Sequence, residues 1–175
     1  MSSAEEPPKF LAEHFKGTEP QEHSSKWSEL WEKNLSPWDR GGPSMALYDL
    51  LKENPNGLIP LPDEKKPKRA LVPGCGRGHD VLLLSSFGYD VYGLDVSTKA
   101  LEEAEANAEK ALSEGLYPVQ GSKRGPVTWR VQDFFAQDWK DVDTRFDLIF
   151  DYTVRAIYPN AHYDHTYIYP PSHAS

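Results

Sequence analysis

Ala70-Leu71-Val72-Pro73-Gly74-Cys75-Gly76-Arg77-Gly78-His79-Asp80 is the stretch on which the fold turns. An apolar run ends in three glycines at alternate positions, and the helix-like run Val81-Leu82-Leu83-Leu84 follows directly. Strand, glycine-rich turn and helix, in that order, open a nucleotide site in an α/β domain. Glycines let the backbone turn tightly and approach a ligand, and the helix start offers unpaired N–H groups. Asp95 closes a second apolar run, Val91-Tyr92-Gly93-Leu94, at the distance where a carboxylate can accept both hydroxyls of a ribose.

The glycine spacing narrows the choice of nucleotide. A dinucleotide loop reads G-x-G-x-x-G, and the place of its third glycine is taken here by His79, with Gly78 one residue early. This disfavours a nicotinamide oxidoreductase. The G-x-G-x-G pattern is similar to the first motif of S-adenosylmethionine methyltransferases, in which no pyrophosphate has to be met by a helix N-terminus.

Outward from this loop the alternation is regular. A helix is expected from about Asp80 to Phe87, stopped by Gly88, and the strand to Asp95 follows. Ser97 caps a longer helix whose Leu101, Ala104, Ala108 and Leu112 keep the 3.6 period up to Gly115. A loop with Gly121, Gly125 and Pro126 leads to a strand over 127–131, then to Asp133-Phe134-Phe135; a loop with Trp139 precedes a buried-strand pattern, 146–151. Alternating elements of this kind imply a parallel sheet. Upstream, residues 1–23 are rich in Glu, Pro, Ser and Lys and are expected to form a mobile arm. Ser24-Ser25 is read as the cap of a helix carrying Trp27, Leu30 and Trp31 on one face, and Ser44 as the cap of a helix with Leu47, Leu50 and Leu51.

Composition bounds the function. At 175 residues the chain suits one domain, able to bury roughly 70% of its unfolded surface. A formal charge of −8 argues against a nucleic-acid or membrane-surface partner, both of which need a basic face. No apolar stretch approaches the roughly 18 residues that a membrane span requires. The lone Cys75 cannot form an internal disulfide, and the polar start lacks the regions of a signal peptide. The cytoplasm is the expected location.

Six segments carry a closer resemblance: Trp27-x-x-Leu30-Trp31; Pro37-Trp38-Asp39; the Leu71–Asp80 loop; Gly93-Leu94-Asp95; Asp133-Phe134-Phe135; and Phe146-Asp147-Leu148-Ile149-x-Asp151-Tyr152-Thr153. In this order they resemble the thiol/halide methyltransferase branch of the thiopurine S-methyltransferase family, over residues 27–153. The resemblance implies an α/β fold, a Rossmann-like three-layer sandwich, here incomplete, with about the first four strands of a seven-stranded sheet. It implies S-adenosylmethionine as methyl donor and a small thiol, thiocyanate or halide as acceptor, with a monomer for the full-length family.

Carried over residue by residue, the resemblance puts Trp27, Trp31 and Trp38 over the cofactor, where an indole face attracts a desolvated cation by roughly 0.5–2 kcal/mol. Gly74, Cys75, Gly76 and Gly78 would pass the methionine part, Asp95 would hold the ribose, and Asp133 and Phe134 would flank the adenine. Asp151 and Tyr152, after the fourth strand, are the catalytic candidates, Tyr152 also facing the cofactor. Trp27 and Trp31 taken alone read rather as ordinary core residues of an amphipathic helix. Cys75 reads as a small buried residue rather than a nucleophile, and Asp147 as structural. Asp151-Tyr152-Thr153 departs from the Asp/Asn-Pro-Pro-aromatic signature of amino-group methyltransferases, which favours sulfur or halide over nitrogen.

After Thr153 the family pattern stops. Residues 154–175 are rich in Tyr, His and Pro without a helical or strand period, and disorder is expected there. Three readings of this tail are open: a truncated or misread gene product, a short form that binds cofactor or a partner chain without turnover, and a metal site at His162 and His165. The His pair is taken as incidental and no metal is expected.

Overall fold

The computed structural model describes residues 9–19, 22–135 and 145–152. Helix α1 spans Lys9–His14, α2 His23–Glu32 and α3 Met45–Glu53, before strand β1, Arg69–Pro73. Helix α4 (His79–Ser86) leads to β2 (Asp90–Asp95), α5 (Thr98–Ser113) to β3 (Val127–Val131), and β4 (Leu148–Ile149) closes the series. The strands form one parallel sheet in the order β3-β2-β1-β4. Because β2 and β3 extend to one side of β1 while β4 lies on the other, β1 sits at the switch point of the sheet. In parallel α/β sheets that is where ligands meet the carboxyl ends of the strands.

Apolar composition explains the layering. Ala70, Val72, Val91 and Leu148 from the strands, Val81, Leu83 and Leu84 from α4, and Leu47 and Leu51 from α3 form one buried core with Ile59 and Tyr89. Every residue of α4 from Val81 to Ser86 is buried, so this helix is held between the sheet and α3. Its polar Ser85 survives burial because Oγ donates to the Gly125 carbonyl at 2.6 Å.

Ser44 caps α3 by accepting from Leu47 N, and Ser97 caps α5 by accepting from Ala100 N. Ser24 and Ser25 do not cap. They lie in the first turn of α2, whose cap position is Glu22, and the Ser24 hydroxyl is spent on a distant carboxylate instead. On α5 the buried residues are Ala100, Leu101, Ala104 and Ala111, whereas Leu112 is 55% exposed. The period was legible, but small alanines rather than the larger leucine take the last turn's inward place. Within the stretch read as an arm, residues 9–14 are helical, and Phe15 packs on Trp27 with ring centroids 4.8 Å apart. The strand pattern over 146–151 shortens to Leu148–Ile149. Trp139 and the tail after Tyr152 lie outside the described residues. No described helix is long and apolar enough to cross a membrane.

Gly125 marks where β3 is fed into the sheet. A Cβ there would stand 1.8 Å from the Tyr89 carbonyl oxygen, a backbone atom that cannot step aside. Gly125→Ala is therefore expected to destabilise by at least the roughly 1–3 kcal/mol of an overpacked core, read as a lowered midpoint in thermal or urea melts.

Candidate functional site

At the carboxyl end of β1 the chain enters the glycine loop with Gly74, Gly76 and Gly78 all at positive φ (59°, 50° and 73°). Cys75 N donates to the Leu94 carbonyl at 2.8 Å, which ties the loop to the end of β2. Asp95 completes the tie. It is 6% exposed; its Oδ2 accepts from Gly76 N at 3.0 Å and its Oδ1 from Ser97 N at 3.0 Å. Burial pushes this carboxyl above its usual range, and the backbone N–H groups of Ser97, Gly76 and Val96 pull against that shift. A carboxylate offers about four acceptor sites, so three backbone donors still leave capacity for a ligand hydroxyl.

The three tryptophans form one cluster. Trp27 and Trp31 meet Trp38 edge-on, with ring centroids 5.0 and 5.9 Å away. Trp31 is buried and lies on the glycine loop: a Cβ at Gly76 would stand 3.3 Å from its Cζ2. Trp27 keeps a buried indole Nε1 with no hydrogen-bond partner among the described residues.

Asp133 comes to the same side from the loop after β3. Its Oδ2 accepts from Ser24 Oγ at 2.7 Å and its Oδ1 from Phe135 N at 2.8 Å, so α2 is bound to that loop across the site. Phe134 meets Phe135 edge-on at 5.3 Å. Asp151 and Tyr152 follow β4 at the carboxyl edge, both exposed; Tyr152 stacks on Phe150 and faces the Arg40 guanidinium at 5.6 Å. Asp147 stands at the opposite end of β4, accepting from Lys68 Nζ at 2.8 Å and Arg69 N at 2.9 Å, the structural role expected of it. Burial, with the Asp95 carboxylate adding to it, pushes the Cys75 thiol well up, away from thiolate chemistry. Among the described residues no group of three or more His, Cys, Asp or Glu could hold a metal ion.

Two features escaped the sequence reading. Trp129 of β3 lies beside Gly78 and Gly93, where added Cβ atoms would come within 2.3 and 2.8 Å of its ring. The third glycine of the loop thus answers to a neighbouring strand as well as to its own positive φ; only the Gly93–Trp129 register, set by strand pairing, could have signalled it. The second feature is a charged cluster. Arg77, between the last two glycines, pairs with Asp39 of the Pro37-Trp38-Asp39 segment and, through Nε at 2.8 Å, with Glu103 of α5. His79 approaches Asp39 at 3.6 Å and bonds Tyr117 Oη at 2.9 Å.

The residues match the model of the thiopurine S-methyltransferase family over 22–165. The chain belongs to the thiopurine S-methyltransferase family. Thiocyanate methyltransferase 1 of Brassica oleracea is 38% identical over 128 residues, a match covering 73% of this chain and 47% of that protein. Thiopurine S-methyltransferase of Pseudomonas fluorescens is 27% identical over 69% of this chain and 54% of its own. A solved structure reported under "Conversion of a Disulfide Bond into a Thioacetal Group during Echinomycin Biosynthesis" superposes with a TM-score of 0.52 at 29% identity, covering 75% of this chain and 47% of that one. The chain spans about half the length of the curated relatives it matches. Family membership makes it a methyltransferase relative by descent, with S-adenosylmethionine as the family's methyl donor and an α/β fold of the Rossmann-like kind.

The charges around Asp39 have a measurable signature. Burial raises its carboxyl, but Gly41 N–H at 2.8 Å, the Arg77 guanidinium and His79 together outweigh burial and hold it below the usual range. A depressed carboxyl stabilises the fold above the unfolded-state value, about 3.9, and that stability is lost as pH falls through the folded value. The gap in melting temperature between the wild type and Asp39→Asn is therefore expected to be open at pH 6–7, to narrow once pH falls below about 4, and to close below the folded value. A gap constant across that range would remove the ion-pair account of Asp39.

Proposed function

We propose that this chain binds S-adenosylmethionine in the crevice between the glycine loop, Asp95 and the tryptophan cluster, and moves its methyl group to a small thiol, thiocyanate or halide. The observation that carries the reading is the Asp95–Gly76 hydrogen bond beneath Trp31, which gathers loop, acid and aromatic cover at the switch point of the sheet. Two details support the fit of the residues to this cofactor. Left-handed Gly76 leaves space that a Cβ would take, and the buried Trp27 Nε1 holds a donor in reserve.

In this reading Asp95 accepts from the ribose hydroxyls, and Asp133 and Phe134 border the adenine. Trp27, Trp31 and Trp38 present indole faces to a cation, and Gly74, Cys75, Gly76 and Gly78 let the backbone run close to the methionine part. The bound cofactor supplies an electrophilic methyl on a sulfonium, so the protein's work is alignment and exclusion of water. Asp151 and Tyr152 border the acceptor side, Tyr152 reaching toward the cofactor. A thiol with a pKa of about 8.5 is already a few per cent thiolate at neutral pH, so no strong dedicated base is called for. The family name, the thiocyanate methyltransferase relative and the disulfide-to-thioacetal structure all favour sulfur as acceptor. The reading extends to a monomeric cytoplasmic protein without a nucleic-acid partner, in keeping with the charge of −8.

A second reading is cofactor or partner binding without turnover. Calorimetric titration with S-adenosylhomocysteine, followed by methyl-transfer assays on a simple thiol, thiocyanate, iodide and an amine, separates the two. The wild type is expected to bind and to methylate a thiol, thiocyanate or iodide but not the amine; binding without transfer to any acceptor selects the second reading. Asp95→Ala is expected to weaken binding by about tenfold or more, since hydrogen bonds to a charged group are worth roughly 1.5–3 kcal/mol. Unchanged affinity in that variant would refute the ribose role.

A further inference from the structure

Beside the residues assigned above, Arg77, Asp39 and Glu103 form a polar assembly that is only partly exposed, the central Arg77 side chain at 36%. The Asp39 side chain is 10% exposed and that of Glu103 21%, with Arg77 between them. Asp39 follows Trp38 directly, and its other oxygen, Oδ1, accepts from Gly41 N. Glu103 stands one turn before Asn107 on α5, and Asn107 Nδ2 donates to the Arg77 carbonyl at 2.9 Å. The Arg77 guanidinium also lies 5.7 Å from the centre of the Trp31 ring. One side chain thus joins the link that carries Trp38, the glycine loop, helix α5 and the face of Trp31.

Its position gives the assembly its leverage. Arg77 is flanked by Gly76 and Gly78, both left-handed and without side chains. A loop of that composition is adaptable, and the guanidinium's planar fork is the group suited to grip two carboxylates at once. Trp38 has ring contacts with Trp27 and Trp31, whereas Asp39 ties the next residue to the loop itself. Two acids against one arginine also leave the cluster with excess negative charge beside the tryptophans, unless His79 is protonated. Burial and Arg77 hold the His79 pKa down against the pull of Asp39.

We propose that Arg77, gripped by Asp39 and Glu103, is a positioning residue that locks the Trp38-bearing link onto the glycine loop, and that cofactor affinity depends on this lock. The proposal rests on the cofactor-binding reading above for its second half only. Without the pair, the loop and the tryptophan cover are free to separate while the core and sheet remain. Binding would then have to restore the arrangement at a cost in affinity.

The test uses the whole chain and the variants Arg77→Met, Asp39→Asn, their combination, and Arg77→Lys, with Lys68→Met at the remote Asp147 pair as control. Near-ultraviolet circular dichroism of the ligand-free protein reads tryptophan packing, a thermal melt reads folding, and titration with S-adenosylhomocysteine reads affinity. Arg77→Met and Asp39→Asn are each expected to lose much of the tryptophan signal while melting cooperatively, and to bind about tenfold or more weaker, as for removal of one partner of a close charge pair. The double variant is expected to be no weaker than the worse single one, because both changes remove one interaction. Arg77→Lys, charged but unable to fork, is expected to fall between, and Lys68→Met to match the wild type. Should Arg77→Met fail to fold, the near-isosteric Asp39→Asn carries the same comparison. Unchanged dichroism and affinity in folded Asp39→Asn, or independent multiplicative losses in the double variant, would overturn the lock. If the wild type itself binds no S-adenosylhomocysteine, the cofactor reading and the affinity half of the proposal fall together, and the dichroism still decides whether the lock exists.

Discussion

A buried carboxylate accepting backbone N–H groups from two different turns holds the carboxyl edge of this sheet together. Asp95 sits at the end of β2, and its oxygens meet Gly76 of the loop after β1 and Ser97 at the cap of α5. Burying a carboxylate is costly, and the N–H groups at these two turns are donors that regular structure leaves unpaired. Each solves the other's problem. Once the loop is tied to β2 in this way, Trp31 can rest on Gly76, Trp38 can rest on Trp31, and α5 can start where Glu103 and Asn107 reach Arg77.

The glycines illustrate how a motif serves packing and ligand approach together. Gly78 opens α4 in the left-handed region, yet the Trp129 ring occupies the space where a side chain would go, and Gly93 opposite Trp129 shares that ring. A large aromatic on β3 fills the hollow that two small residues leave on neighbouring elements. The same logic operates at Gly125, where the chain passes against the Tyr89 carbonyl to enter β3. Close packing at native density makes such positions intolerant of even one added carbon.

The side of the sheet on which function gathers follows from topology. All four strands run parallel, so their carboxyl ends share one edge, and the order β3-β2-β1-β4 places the reversal at β1. At these ends lie the glycines after β1, Asp95 closing β2, Asp133 after β3, and Asp151 with Tyr152 after β4. At the other end Asp147 pairs with Lys68 and Arg69 approaches Asp90, while Arg77 pairs with Asp39 and Glu103 beside the glycine loop. Parallel strands put the ligand crevice at the carboxyl edge.

Much of the fold was legible because it is written in short-range chemistry. Apolar runs, glycines after strands and the Ser44 and Ser97 caps act through neighbours within a few residues, so the α/β alternation and the order of the motifs follow from the chain itself. What was misread depended on distance. Ser24 looks like a cap but is held by Asp133, 109 residues away, and Leu112 matches the helical period but yields its inward place to Ala111. The approach of Trp129 to Gly78 and the grip of Asp39 and Glu103 on Arg77 have no local signature, since each joins elements that only strand pairing and helix packing bring together. The sequence by itself determined the elements, their order and the chemical types at the site. The tertiary structure alone decided which polar group satisfies which, because a buried donor or acceptor takes whatever partner the packing sets beside it.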